Sequence, residues 1–262
     1  MKASLSLTLL LGAACLATTG CDHFPGKPGP EPDVPRPEQV LDFATLYKQN
    51  CAACHGEQGV RGATVSLGNP VYLAYAGEAN LRTAIANGVH GSLMPAFAQS
   101  AGGMLTDQQV EVLAHGLMTN WGKPDAVAGA SLPAYHPATP GDVALGQKTF
   151  EASCARCHGE DGQGKPHKDG SRMGSIVDPS YLALVSDQYL RSVIVGGLPG
   201  QGMPDFMQHG TKEAPHAMTD AEVTSVVAWL ESHRNGTTQA AQQTQTTPTQ
   251  APKPAQSKQE PL

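Results

Sequence analysis

Cys51-Ala52-Ala53-Cys54-His55 and Cys154-Ala155-Arg156-Cys157-His158 are the two segments of this sequence whose residue types and spacing can do chemistry by themselves. In each, two thiols stand three positions apart and a histidine follows at once. Thiols so spaced near a helix end can add to the two vinyl groups of one porphyrin, and the histidine then lies beneath the iron. Two other chemistries use paired thiols. A zinc site needs two more soft ligands per unit, and neither unit holds another Cys. A redox dithiol has no use for the histidine and sits in a βαβ pattern that is absent here. Covalent attachment of two haem c groups is expected, through Cys51, Cys54, Cys154 and Cys157, with His55 and His158 as iron ligands. This accounts for the cysteine usage in an oxidising compartment, because the four motif thiols become thioethers.

The elements that position these segments recur in the same order in both halves of the chain, so the protein is a tandem duplication. Asn69-Pro70-Val71-Tyr72-Leu73-Ala74 matches Asp178-Pro179-Ser180-Tyr181-Leu182-Ala183, and Leu81-Arg82 with Ile85 and Gly88 matches Leu190-Arg191 with Ile194 and Gly197. Met94-Pro95-Ala96-Phe97 matches Met203-Pro204-Asp205-Phe206. Thr106 and Thr219, each followed by Asp, are N-cap signals ahead of apolar runs at helical period: Val110, Leu113, Ala114, Leu117 and Val223, Val226, Val227, Leu230. No alternating strand pattern competes, so the fold class is all-α, with two helical domains at 38–121 and 141–234. Aromatic residues make only 5% of the chain. Such domains have thin cores, and something besides side chains must supply apolar mass.

On these motifs the chain resembles a tandem di-haem member of the class I cytochrome c superfamily, over about 180 of 262 residues. The resemblance implies one haem per domain and a distal methionine in a Met-Pro context, which maps to Met94 opposite His55 and Met203 opposite His158. Met104, Met207, Met218 and His90 are rivals, but only Met94 and Met203 recur at one repeat position. Arg82 and Arg191 also recur; each is a candidate partner for a haem propionate, with a helix-surface salt bridge as the alternative. Tyr72, Tyr181, Phe97, Phe206, Trp121 and Trp229 read as packing residues. With His/Met ligation no coordination position stays open, so the implied function is single-electron carriage between respiratory or photosynthetic redox proteins, not catalysis. The alternative is a di-haem enzyme, a peroxidase or an oxidase of a small sulfur compound, with one displaceable axial ligand.

The rest of the chain reads as address and spacer. Lys2, the apolar stretch 5–11 and the small residues before Cys21 follow the order of a secretory signal over 1–20. The site resembles a bacterial lipoprotein box, with Cys21 acylated; an ordinary cleaved signal is the alternative. This places the protein at the periplasmic side of the inner membrane, anchored through Cys21, with no permanent transmembrane helix. Residues 21–37 are a Pro-rich tether, 122–140 an interdomain linker, and 235–262 a Gln/Thr/Ala/Pro tail too polar to fold. Lys and Arg number 17 against 23 Asp and Glu, a net charge of −6. That balance argues against nucleic acid as a partner and favours redox proteins with basic docking patches.

Overall fold

The structure is a computed structural model that describes residues 34–166, 173–208 and 216–245. The expected signal, Cys21, most of the tether and residues 246–262 lie outside the described residues. Residues up to Gln39 cluster as a unit by themselves, described only as a short turn, Pro37–Gln39, with an exposed Arg36–Glu38 ion pair at 3.6 Å. From Val40 onward the chain is one unit. Among its described residues there are helices and isolated bridges but no named strand.

The first lobe holds α1 (Phe43–Asn50), the short α2 (Ala52–His55), α3 (Pro70–Asn87) and α4 (Asp107–Trp121). The second holds α5 (Val143–Ser153), the short α6 (Ala155–His158), α7 (Pro179–Leu184), α8 (Asp187–Gly196) and α9 (Asp220–Gln245). Side-chain caps fix most starts. Asp42 accepts from the Thr45 amide at 2.8 Å and Asp142 from the Leu145 amide at 2.9 Å. Thr106 and Gln109 form a reciprocal capping box, and Thr219 and Glu222 exchange the same pair of bonds ahead of α9. Asn69 and Asp178 cap α3 and α7, each with proline in the first turn. The lobes differ at one joint: α3 bends at Gly77 (φ 67°, ψ 157°), where lobe 2 breaks into two helices.

In each lobe the first helix crosses the last, and a glycine makes the crossing possible. Gly116 on α4 lies against the Phe43 ring of α1, beside Tyr47 and Trp121, whose rings meet edge to face at 4.9 Å. Gly146 on α5 lies against the Ser225 carbonyl and Trp229 of α9, and Trp229 packs on Phe150 at 4.3 Å. A Cβ at Gly146 would meet backbone, which cannot rotate away as the Phe43 ring can. Gly146→Ala should therefore lower the calorimetric melting midpoint of the haem-loaded protein more than Gly116→Ala does, by about 1–3 kcal/mol of overpacking. Equal, small shifts would mean that the α5–α9 crossing opens freely.

Two expectations of the sequence need adjusting. Helix α9 continues to Gln245, eleven residues past the Arg234 boundary at which the tail was expected to begin. The 122–140 segment is irregular, as its Pro and Gly content implies, yet it is not a free spacer: Val127, Ala130, Leu132 and Tyr135 pack on the core.

Candidate functional site

Each Cys pair sits where a longer helix hands over to a short one. Cys51 and Cys154 end α1 and α5 in right-handed geometry, and Gly56 and Gly159, at φ 85° and 83°, turn the chain out after each histidine. That conformation favours glycine. Cys51 and Cys154 are half-buried, Cys54 and Cys157 are exposed, and none is in a disulfide. Burial, with the neighbouring motif cysteine as a smaller cause, pushes Cys51 and Cys154 up to about 12. A redox dithiol is built with a depressed thiol pKa instead. Among the described residues no cluster of three or more His, Cys, Asp or Glu gathers that could hold a bare metal ion.

His55 is buried, with Nδ1 2.9 Å from the Val65 carbonyl. An N–H at Nδ1 donating there leaves the lone pair on Nε2, and burial, opposed by that hydrogen bond, holds the ring's pKa below the usual histidine range. The result is a neutral, oriented imidazole, the form that binds a metal. The loop behind it is closed by backbone: the Ala63 amide donates to Cys54 at 2.9 Å, and the Tyr47 hydroxyl donates to Gly56 at 2.8 Å. In lobe 2 the half-buried His158 sits in a similar fold-back, its carbonyl accepting from the Gly164 amide at 2.7 Å.

The methionine loops are built alike. Gly88 and Gly197 end α3 and α8 at φ 72° and 69°. A Cβ on Gly88 would lie 2.7 Å from the Met94 carbonyl oxygen, and one on Gly197 would lie 2.7 Å from that of Met203. The next residue closes each loop: the Val89 amide donates to the Met94 carbonyl at 3.1 Å, the Leu198 amide to the Met203 carbonyl at 3.0 Å. Both methionines are half-buried. A loop of the same six-residue reach, clamped to the same glycine, holds each methionine in place.

The cytochrome c family profile matches residues 143–234, and that of cytochrome c oxidase, cbb3-type, subunit III matches residues 38–115. The chain is a tandem di-haem cytochrome c of class I. Its two domains imply two covalently bound haem c groups. The residues present fit them, with two unbridged thiols and a histidine per site, the His55 Nδ1 committed to the Val65 carbonyl, and a methionine held by its loop. Among curated relatives, the cytochrome is 28% identical over 149 residues to the cbb3-type cytochrome c oxidase subunit CcoP of Azospirillum sp. (strain B510), covering 50% of this chain and 45% of that protein. It is 30% identical over 138 residues to the cbb3-type cytochrome c oxidase subunit FixP of Rhizobium etli, covering 48% and 41%. The match thus spans less than half the length of these relatives. Of solved structures, a chain of the Kuenenia stuttgartiensis reducing HAO-like protein complex Kustc0457/Kustc0458 superposes at TM-score 0.41 with 18% identity, over 76% of the cytochrome and 99% of that chain.

The structure gives the two recurring arginines of the cytochrome protein partners, not the free heads that a propionate contact expects. Arg82 pairs with Glu111 at 3.2 Å, both side chains half exposed, which is the surface salt bridge weighed as the alternative. Arg191 is 2% exposed and binds Ala134, Thr224 and Asp220. Phe206 is fully buried while Phe97 is half-buried. Met104, a rival ligand, is 83% exposed, and Met218 is buried in the lobe 2 core. Val65 is the part of the site that residue types do not announce, because it acts through its carbonyl. Gly88 and Gly197 were visible as repeat landmarks; their role needed the Met-Pro backbone beside them. Among the described residues no helix is long and apolar enough to cross a membrane.

Proposed function

We propose that this cytochrome carries single electrons between redox partners at the outer face of the inner membrane, tethered through Cys21, and that a membrane oxidase is one of those partners. Cys51, Cys54, Cys154 and Cys157 hold the two haem groups, and His55 with Met94 and His158 with Met203 are the axial ligands. When bound, each haem supplies a one-electron couple. The chain's own residues do the rest. The Val65 carbonyl fixes the tautomer and direction of the His55 ring. The Gly88 and Gly197 clamps present a thioether from each lobe, a soft donor that raises the potential relative to two histidines. Burial of His55 and of the Leu46–Tyr47 and Phe150–Trp229 clusters keeps water from the inner side of each site.

The observation that supports this reading is the like closure of the two methionine loops, which holds a thioether at the same repeat position in each lobe. The names of the relatives, subunits of cbb3-type oxidases, favour a membrane oxidase as acceptor. The deciding experiment is carbon monoxide binding to the purified cytochrome at half and full reduction, with peroxide turnover assayed in parallel. Slow, incomplete binding in both states with no turnover is expected. Rapid binding at one haem accompanied by turnover would overturn carriage in favour of a di-haem peroxidase.

A further inference from the structure

One repeat position has two fates. Arg82 lies on the surface of lobe 1 with Glu111, whereas its counterpart Arg191 in lobe 2 has a side chain only 3% exposed. The Arg191 Nε donates to the Ala134 carbonyl at 2.9 Å, Nη1 donates to the Thr224 hydroxyl at 2.8 Å, and Nη2 pairs with Asp220. The same Asp220 oxygen accepts from the Ala134 amide at 2.9 Å. The connecting segment is thus pinned at both backbone groups of a single residue. The next residue, Tyr135, accepts through its carbonyl from the Tyr75 hydroxyl of lobe 1 at 3.2 Å and packs on the Tyr75 ring at 5.2 Å. Gln188, one turn before Arg191 on α8, donates to that hydroxyl at 3.3 Å.

A second contact joins the lobes directly. The Asn69 side-chain amide at the start of α3 donates to the Gly196 carbonyl at 2.6 Å, fully buried. A Cβ at Gly196 would stand 3.1 Å from the Tyr72 Cβ, so glycine lets the end of α8 approach α3 closely. Farther along, Arg61 of lobe 1 borders Gly200, three residues before Met203.

We propose that Arg191 is a positioning residue that locks the second haem lobe against the first through the 134–135 segment, with Asn69 and Gly196 as the second fastening. A guanidinium buried this deeply is tolerated only where each nitrogen is met; Thr224 and Asp220 meet it from lobe 2 itself, and the Ala134 carbonyl completes the fork, which fixes the connecting segment to lobe 2. Rotating the lobes apart breaks the Tyr75 bond to the Tyr135 carbonyl and strands the Asn69 amide. The two sites are therefore held at one separation, and electron exchange between them is a step within one rigid molecule. Only this last clause rests on the carrier reading.

The test uses the haem-loaded, full chain and two readouts: small-angle scattering for the envelope and flash photoreduction for equilibration between the haems. Arg191→Ala is expected to enlarge the envelope and to cost the equilibration its single-exponential form, with each haem's absorption spectrum unchanged. Arg191→Lys, which keeps the charge but not the fork, should recover only part of this, and Arg82→Ala should change nothing. Gly196→Leu attacks the second fastening and carries the test if Arg191→Ala does not fold. An unchanged envelope in both Arg191→Ala and Gly196→Leu overturns the lock. An envelope that enlarges while the haems exchange no electrons even in the wild type sustains the lock and overturns carriage instead.

Discussion

Replacing Met203 with alanine should lower the reduction potential of one haem and leave the other where it was. The thioether favours the reduced iron, and the Leu198–Met203 closure fixes the backbone that carries it. Axial ligands command a span of ~0.8 V in haem proteins, and loss of this one should cost on the order of a tenth of that or more. Spectroelectrochemistry of the variant would show two well separated waves, and carbon monoxide would bind rapidly at one haem. Gly197→Val should reproduce most of the effect without touching the ligand, because a Cβ there meets the Met203 carbonyl at 2.7 Å and the loop must lift. An unchanged potential in Met203→Ala would transfer the ligand role to another residue, with Met207, half-buried four positions on, as the first to try.

Converting Cys51, Cys54, Cys154 and Cys157 together to serine should abolish the cooperative unfolding transition altogether. The lobes bury leucines, valines and a few rings around their helix crossings, and domains of this size sit at the margin of independent stability. One haem group adds apolar surface to each core that no side chain replaces. Mass spectrometry of the fourfold variant should lack both haem masses, and circular dichroism should show helix content that decays gradually on heating. A sharp transition in the haem-free chain would mean that the side-chain cores suffice.

Much of this was legible in the sequence because it is written in side-chain types: thiol spacing, the histidine after it, Thr and Asp caps, helical spacing of Leu and Val. The Val65 carbonyl is a backbone group, and every residue type at that position would present it. Arg82 and Arg191 gave the same signal and met different surroundings; the difference lies in Ala134, Thr224 and Asp220, far away in sequence. Proline and glycine in 122–140 correctly reported the lack of a helix, but composition carries no information on contact, so the pinning of Ala134 was invisible. The overrun of α9 past Arg234 has the same origin in reverse: Gln, Thr and Ala cannot bury a core, yet a helix already running can continue through them.

The lobe contact joins unlike surfaces of like units, the start of α3 on one against the end of α8 on the other. Such head-to-tail packing has no internal stop, since the start of α7 and the end of α3 stay unmatched, and repetition of it generates filaments. Here the unmatched ends have diverged. Asn87 stands where the close approach has Gly196, and Asp178, exposed, stands where Asn69 would reach across. An exposed amide stands in place of the glycine at one end, and a carboxylate with no donor to offer a carbonyl stands at the other. The ends left open by the lobe contact thus no longer offer the glycine and the amide that the contact itself uses, so the two lobes do not template a third.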